Sequence, residues 1–123
     1  MQFDPMRPIW LQVMGEIEMS IAAGLRQPGE KLPGGRELAV AYGINPNTAA
    51  RVYQELEKAG LCETRRGMGT YVTCHAERID TLREELARQA VELFLRKIGS
   101  LGITRREAAG MILKEEVSED AGK

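Results

Sequence analysis

Two helical patterns followed at once by two strand patterns, within residues 36–74, constrain the fold of this chain more than any other feature. A short helix is predicted from about residue 36 to residue 42, and it ends at Gly43, since glycine commonly follows the last turn of a helix. The chain turns helical again at Asn45-Pro46, a good N-cap followed by a residue that suits the first helical position. Two helices joined by such a tight turn predict a helix-turn-helix motif.

A β-hairpin with a basic, glycine-rich tip is predicted directly after the second helix. Residues 61–65 and 70–74 have the composition of short strands, and Arg66-Gly67-Met68-Gly69 separates them. Gly67 and Gly69 permit tight curvature and close backbone approach, while Arg65 and Arg66 place positive charge at the tip, which suits the narrow, negative minor groove of DNA. A helix-turn-helix followed by such a hairpin predicts a winged helix.

The start of the second helix carries side chains that are suited to reading bases. Asn47, Thr48 and Arg51 lie near its capped end, on or near the side away from its apolar residues. Asparagine and arginine have paired hydrogen-bonding groups that match adenine and guanine edges in the major groove. In the alternative interpretation Arg51 is an exposed helix residue paired with Glu55, and the hairpin arginines are solvated.

Upstream of this region an amphipathic helix is predicted from Pro8 to about Ala23, because isoleucine or valine recurs every four residues from Ile9 to Ile21. Residues 27–35 contain so many prolines and glycines that we expect no regular element there.

The last third of the chain is predicted to form two further helices. The first spans about 76–98, and the second, of about ten residues, begins after Thr104, whose spacing from Glu107 is that of a capping box. One apolar stripe on the long helix is too extensive for a domain of this size to cover, so we expect a second copy to cover it across a two-fold axis. The candidate dimerisation residues are Ile79, Leu82, Leu86, Leu93 and Phe94.

Five motifs, in this order and spacing, resemble the GntR family of bacterial transcription regulators. They are Pro8-Ile9-Trp10-Leu11-Gln12, Pro28-Gly29-Glu30-Lys31-Leu32-Pro33, Arg36-Glu37-Leu38-Ala39, Ile44-Asn45-Pro46-Asn47-Thr48 and Glu63-Thr64-Arg65-Arg66-Gly67-Met68-Gly69-Thr70. The short two-helix C-terminal region resembles the YtrA-type branch of the family, which has no large effector domain.

The resemblance implies a homodimeric DNA-binding repressor that acts on a palindromic operator. It implies DNA contacts from Arg36, from the start of the recognition helix (Asn47, Thr48, Arg51) and from the wing tip (Arg66, Gly67, Gly69). One departure is Gly34-Gly35, which stands where the family usually has a serine. A hydroxyl that could cap the helix and bind a phosphate is therefore missing, although glycine caps helices nearly as well.

We therefore predict a mainly α-helical fold with a small β-hairpin. Residues 7–75 would form the winged helix-turn-helix domain, residues 76–116 a two-helix dimerisation region, and residues 117–123 a disordered tail. The net charge is −1, and residues 1–74 carry equal numbers of basic and acidic residues, so DNA binding requires a local basic surface. This balance leaves open a winged helix that binds protein instead of DNA.

Other classes of function find little support in the sequence. His75 is the only histidine and has no evident catalytic or metal-binding partners, so we expect no enzyme, no metal and no cofactor. With no apolar run long enough to cross a bilayer and no export signal, we expect a cytoplasmic protein with no membrane partner. A regulator gated by a small ligand stays open, with Leu93, Phe94 and Met111 as candidate lining residues. In the alternative interpretation, which the sequence favours, these three are ordinary core residues.

The two cysteines support a separate hypothesis. If Arg66 pairs with Thr70 in the hairpin, then Cys62 lies directly opposite Cys74 at the base of the wing. The pair could then act as an oxidation switch that alters the geometry of the wing. The alternative is that both are small apolar side chains packed under the hairpin.

Overall fold

The computed structural model describes residues 1–115, and it is mainly α-helical with one antiparallel hairpin. The elements in chain order are α1 (Ile9–Ala22), α2 (Gly35–Tyr42), α3 (Pro46–Lys58), β1 (Cys62–Arg65), β2 (Gly69–Val72), α4 (Ala76–Ser100) and α5 (Arg105–Lys114). The predicted fold class is confirmed. The predicted tail at 117–123 and the last residue of the predicted 76–116 region lie outside the described residues.

The helix caps explain why α2, α3 and α5 begin where they do. The Asn45 side chain accepts a hydrogen bond from the Asn47 N–H at 2.8 Å, as its N-cap position predicts. At α2 the N-cap is Gly34, and only half of a capping box remains: its N–H donates to Glu37 Oε1 at 3.2 Å. The Thr104–Glu107 box of α5 is complete, with both hydrogen bonds at 3.1 Å.

The chain divides into two compact units, of which the first is Met1–Glu84 and the second begins at Glu85. The core of the first unit consists of the buried stripe of α1 against apolar residues of α2, α3 and the hairpin. Its largest fully buried side chains are Val13, Ile17, Ile21, Leu38, Val52, Leu56, Leu61, Val72 and Leu82.

The first turns of α4 belong to this core, which corrects part of the predicted dimerisation surface. Ile79 and Leu82 are only 6% and 1% exposed within a single chain, so neither is available to a partner. The Nε–H groups of Arg78 and Arg83 donate to the carbonyls of Ala59 and Ala22, at 2.8 and 3.0 Å. These carbonyls lie at the C-terminal ends of α3 and α1, where helices leave acceptors unsatisfied.

The hairpin register differs from the predicted one. A turn closed by the Met68 N–H and the Arg65 carbonyl, 2.9 Å apart, pairs Arg65 with Gly69. Gly67 occupies the third position of this turn at φ 76°, which glycine adopts without strain. Cys62 therefore lies opposite Val72, and the prediction that it opposes Cys74 is wrong.

Part of the proline- and glycine-rich segment runs along the free edge of β2. Leu32 N–H donates to the Thr70 carbonyl at 2.8 Å, and Val72 N–H donates to the Glu30 carbonyl at 2.9 Å. Lys31 is thereby paired with Tyr71. The wing thus has a third extended segment, although no helix or strand forms within residues 27–34, as predicted.

Candidate nucleic-acid interface

The three residues predicted to contact base edges lie near the N-terminal end of α3. Asn47 and Arg51 are exposed and one turn apart, Thr48 is half-buried, and the opposite side of the helix carries the buried Val52 and Leu56. The structure therefore brings Asn47, Thr48 and Arg51 to one end of the same helix. An exposed helix face of this kind can enter the major groove.

The structure pairs Arg51 with Trp10 and not with Glu55. The Arg51 guanidinium carbon lies over the Trp10 ring, 4.3 Å from its centroid. Glu55 instead forms an ion pair with Lys58 at 3.3 Å. Within residues 1–115 no hydrogen bond or ion pair involves the Arg51 guanidinium, so its N–H donors face no competing acceptor in the protein.

Arg36 lies near the start of α2, next to the turn that leads into α3. Its side chain is exposed, and it lines a shallow groove with Val40, Ile44 and Pro46. The described part of the chain offers it no ion pair. An exposed cation beside a helix N-terminus is suited to a phosphate, because the free backbone N–H groups there also favour an anion.

The two arginines of the wing differ in the contacts that they make within the protein. Arg65 Nε and Nη2 donate to Glu63 Oε1 at 3.2 and 2.8 Å, and the same guanidinium lies 4.1 Å from the Tyr71 ring centroid. The hydrogen bond to Glu63 raises the pKa of Arg65 above its ordinary value. Arg66 is exposed and has no such partner among the described residues, so it is the freer of the two to contact DNA.

The sequence reasoning missed Lys31 as a basic residue of the wing. Lys31 pairs with Tyr71 of β2, and its side chain passes Gly69 so closely that an added Cβ there would lie 2.9 Å from Lys31 Cε. Gly69 has φ 120°, a backbone conformation that disfavours any side chain. Lys31 is exposed and adds a third positive charge beside Arg65 and Arg66.

The second unit retains exposed apolar residues on both of its helices. On α4, Leu93 is 64% and Phe94 is 38% exposed, while Leu86 is half-buried. The exposed apolar residues of α5 are Met111, Ile112 and Leu113. Of the predicted dimerisation residues, therefore, Leu93 and Phe94 are open to a partner, and Leu86 is partly so.

The candidate lining residues of an effector pocket, Leu93, Phe94 and Met111, are all exposed in a single chain. An open depression does lie where α4 ends and α5 begins. Its lining residues are Glu92, Leu95, Arg96, Ile98, Gly99, Ile103 and Arg105. Leu93, Phe94 and Met111 do not line this depression, and their part in an effector pocket stays a prediction.

The cysteine thiols lie in different environments. Cys62 is buried, and burial raises the pKa of its thiol to about 12, so the unreactive protonated form dominates at neutral pH. Cys74 is exposed, and its Sγ lies 3.2 Å from where a Cβ on Gly29 would be. Both thiols are free, and the pairing behind the oxidation switch is absent.

We expect one fast-reacting thiol in the native protein. At pH 8, a disulfide reagent such as 5,5′-dithiobis(2-nitrobenzoate) should modify Cys74 promptly and Cys62 only on unfolding, because the Cys62 thiol is buried and protonated. Absorbance of the released thiolate measures both phases. Cys74→Ser should remove the fast phase alone, whereas two equal fast phases would contradict the burial of Cys62.

Within residues 1–115 no three potential metal-ligating side chains come together, and no helix combines the length and apolar composition that a bilayer crossing demands.

The sequence of this chain is similar to those of known transcription regulators. The profile of the family described as "Bacterial regulatory proteins, gntR family" matches residues 10–72. The HTH-type transcriptional regulator YhcF of Bacillus subtilis is 41% identical over 106 residues, which is 86% of this chain and 88% of YhcF. The HTH-type transcriptional repressor YtrA of the same organism is 42% identical over 78 residues, 62% of this chain and 60% of YtrA.

Solved structures give the same relationship. A GntR family transcriptional regulator from Listeria monocytogenes superposes with a TM-score of 0.84 at 36% identity, covering 91% of this chain and 98% of that one. AraR(DBD), solved in complex with operator ORX1, superposes with a TM-score of 0.56 at 30% identity, covering 59% of this chain and 93% of that one.

Proposed function

This chain belongs to the GntR family of bacterial transcription regulators and is a DNA-binding regulator with a winged helix-turn-helix, not an enzyme, and we propose that it is a homodimeric repressor of a palindromic operator. We assign DNA binding to residues 7–75, and dimerisation to the part of the predicted 76–116 region that follows Glu84. The observation that carries the proposal is that Asn47 and Arg51 lie one turn apart near the start of α3, both exposed, and that the Arg51 guanidinium donates to no acceptor within residues 1–115.

In this proposal α3 enters the major groove, and the wing lies against the adjacent minor groove. Asn47, Thr48 and Arg51 contact base edges, for which arginine and asparagine offer paired hydrogen bonds. Arg66 and Lys31 contact the wing-side groove or its phosphates, and Arg36 contacts a phosphate near the start of α2. In this proposal these basic side chains form the local basic surface that the balanced total charge of residues 1–74 makes necessary.

The exposed apolar residues of the second unit support the homodimer. Leu93 and Phe94 on α4 are large apolar side chains that a single chain leaves in water. A symmetric partner covers the same residues of both copies at once, since a two-fold interface pairs a surface with itself. Two recognition helices related by this axis fit half-sites about 34 Å apart, or a multiple of that distance, and such half-sites form a palindrome.

Repression follows if the dimer occupies DNA that RNA polymerase needs. The relative YtrA is named a repressor, and it supports this sign of regulation. The proposed place of action is the cytoplasm, where bacterial DNA lies.

Selection of bound duplexes from a random pool, followed by footprinting of a genomic fragment, tests this function. We expect a palindromic consensus, protection of two half-sites, and affinity that falls steeply with salt as phosphate contacts release counterions. If the selection at low salt enriches no sequence, the proposal is refuted, and the interpretation of the winged helix as a protein-binding module is favoured.

A further inference from the structure

Trp10 is the only tryptophan in the chain, and it lies in the first turn of α1 against the exposed end of α3. Its ring is half-buried, and the Arg51 guanidinium carbon is 4.3 Å from the ring centroid. The face of an indole ring is the best aromatic surface for a cation, so this contact fixes the far end of a long, flexible side chain.

The contact holds Arg51 without using its hydrogen-bond donors. Arg65 is a direct contrast, because it also lies over an aromatic ring but donates from Nε and Nη2 to Glu63. Recognition of guanine by arginine requires two parallel N–H donors. In residues 1–115 the Arg51 guanidinium donates to no protein acceptor, so it keeps the donors that this recognition needs.

We propose that Trp10 is a positioning residue for base recognition by Arg51. This inference rests on the proposed function, in which Arg51 reads a base. Holding the guanidinium over the ring before DNA arrives reduces the side-chain freedom that is lost on binding. Trp10 itself need not touch DNA for this effect.

The contact can be tested without DNA, because every change in tryptophan emission reports on Trp10. Arg51→Met keeps most of the side-chain length but removes the cation, and we expect it to change the emission intensity or maximum of the free protein. Arg36→Met is the matched control, since Arg36 lies on α2 and has no contact with Trp10. Emission that is identical in wild type and Arg51→Met would overturn the proposal.

The role in recognition is tested by a double-mutant cycle. We expect Trp10→Leu to lower the ratio of operator affinity to random-DNA affinity by about two- to fivefold. Random-DNA affinity should be unchanged. We expect Trp10→Phe, which keeps an aromatic face and most of the packing, to lose less. In the Arg51→Ala background, Trp10→Leu should cause no further loss of this ratio.

The outcomes separate the two proposals. If Trp10→Leu lowers the ratio equally with and without Arg51, Trp10 acts only through the fold, and the positioning role is refuted. If Arg51→Ala leaves the ratio unchanged, base recognition by Arg51 fails, and the positioning role fails with it. Thermal unfolding of each variant shows whether packing is retained, and Trp10→Phe still tests the role if Trp10→Leu unfolds.

Discussion

Arg51→Ala is expected to cost about 1–3 kcal/mol of discrimination between the operator and random DNA. The reason is that Arg51 stands exposed on α3 with its guanidinium donors free of protein acceptors, so a base edge is the partner lost on truncation. Binding to random DNA should weaken much less, since phosphate contacts from the wing and Arg36 are kept. Competition gel shifts with operator and scrambled duplexes at one salt concentration measure the ratio.

Lys58→Ala is the matched control for this variant. Lys58 also lies on α3 and carries one positive charge, but it is at the opposite end of the helix and pairs with Glu55. The control should leave the discrimination ratio unchanged. An equal loss of operator and random binding in Arg51→Ala would show that Arg51 contacts only the DNA backbone.

The double variant Leu93→Asp/Phe94→Asp is expected to convert the proposed dimer to a monomer and to weaken operator binding by about a hundredfold or more. Both side chains are exposed on α4, so the monomer should keep its fold, while burial of two carboxylates in the interface would be strongly unfavourable. A monomer also loses the effective concentration that a linked second half-site provides.

Analytical ultracentrifugation gives the oligomeric state, and titration of a full operator against a single half-site gives the affinities. Arg88→Asp serves as the control, because it places the same charged residue at an exposed position on the opposite side of α4. A variant that stays dimeric would place the interface elsewhere. A monomer that binds the operator with unchanged affinity would refute the need for a dimer.

Local signals predicted the helices well because each boundary rests on neighbouring residues. Asn45 caps α3 through its own side chain, and Thr104 caps α5 with the help of Glu107. Pro8 lies at the N-cap of α1 and not at its first helical position, a difference of one residue. Capping depends on contacts within three or four residues, so the sequence contains them.

The wing was harder to predict because its register depends on backbone geometry. Both Gly67 and Gly69 can adopt positive φ, so the sequence permits two tip turns that differ by one residue. The pairing of Lys31 with Tyr71 also depends on backbone hydrogen bonds between distant segments. The sequence around Lys31 is typical of a loop. It therefore did not indicate that Lys31 is a basic residue of the candidate interface.

The dimerisation residues show another limit of sequence patterns. Ile79, Leu82, Leu86 and Leu93 form one continuous apolar stripe, and periodicity does not say which part a chain covers for itself. The structure buries Ile79 and Leu82 in the first unit and leaves Leu93 in water. Likewise, the choice of Trp10 over Glu55 as the neighbour of Arg51 depends on how α1 packs against α3.

In the proposed homodimer, the hydrogen bonds from Arg78 and Arg83 make the first turns of α4 independent of the partner copy. These turns are fixed to the ends of α3 and α1 within one protomer, whatever the protein concentration. If the proposed homodimer dissociates on dilution, the hydrogen bonds that fix the first turns of α4 should persist, because both lie within one chain. We then expect the monomer to keep the candidate DNA-binding residues of α3 in place, so that it can associate again without refolding.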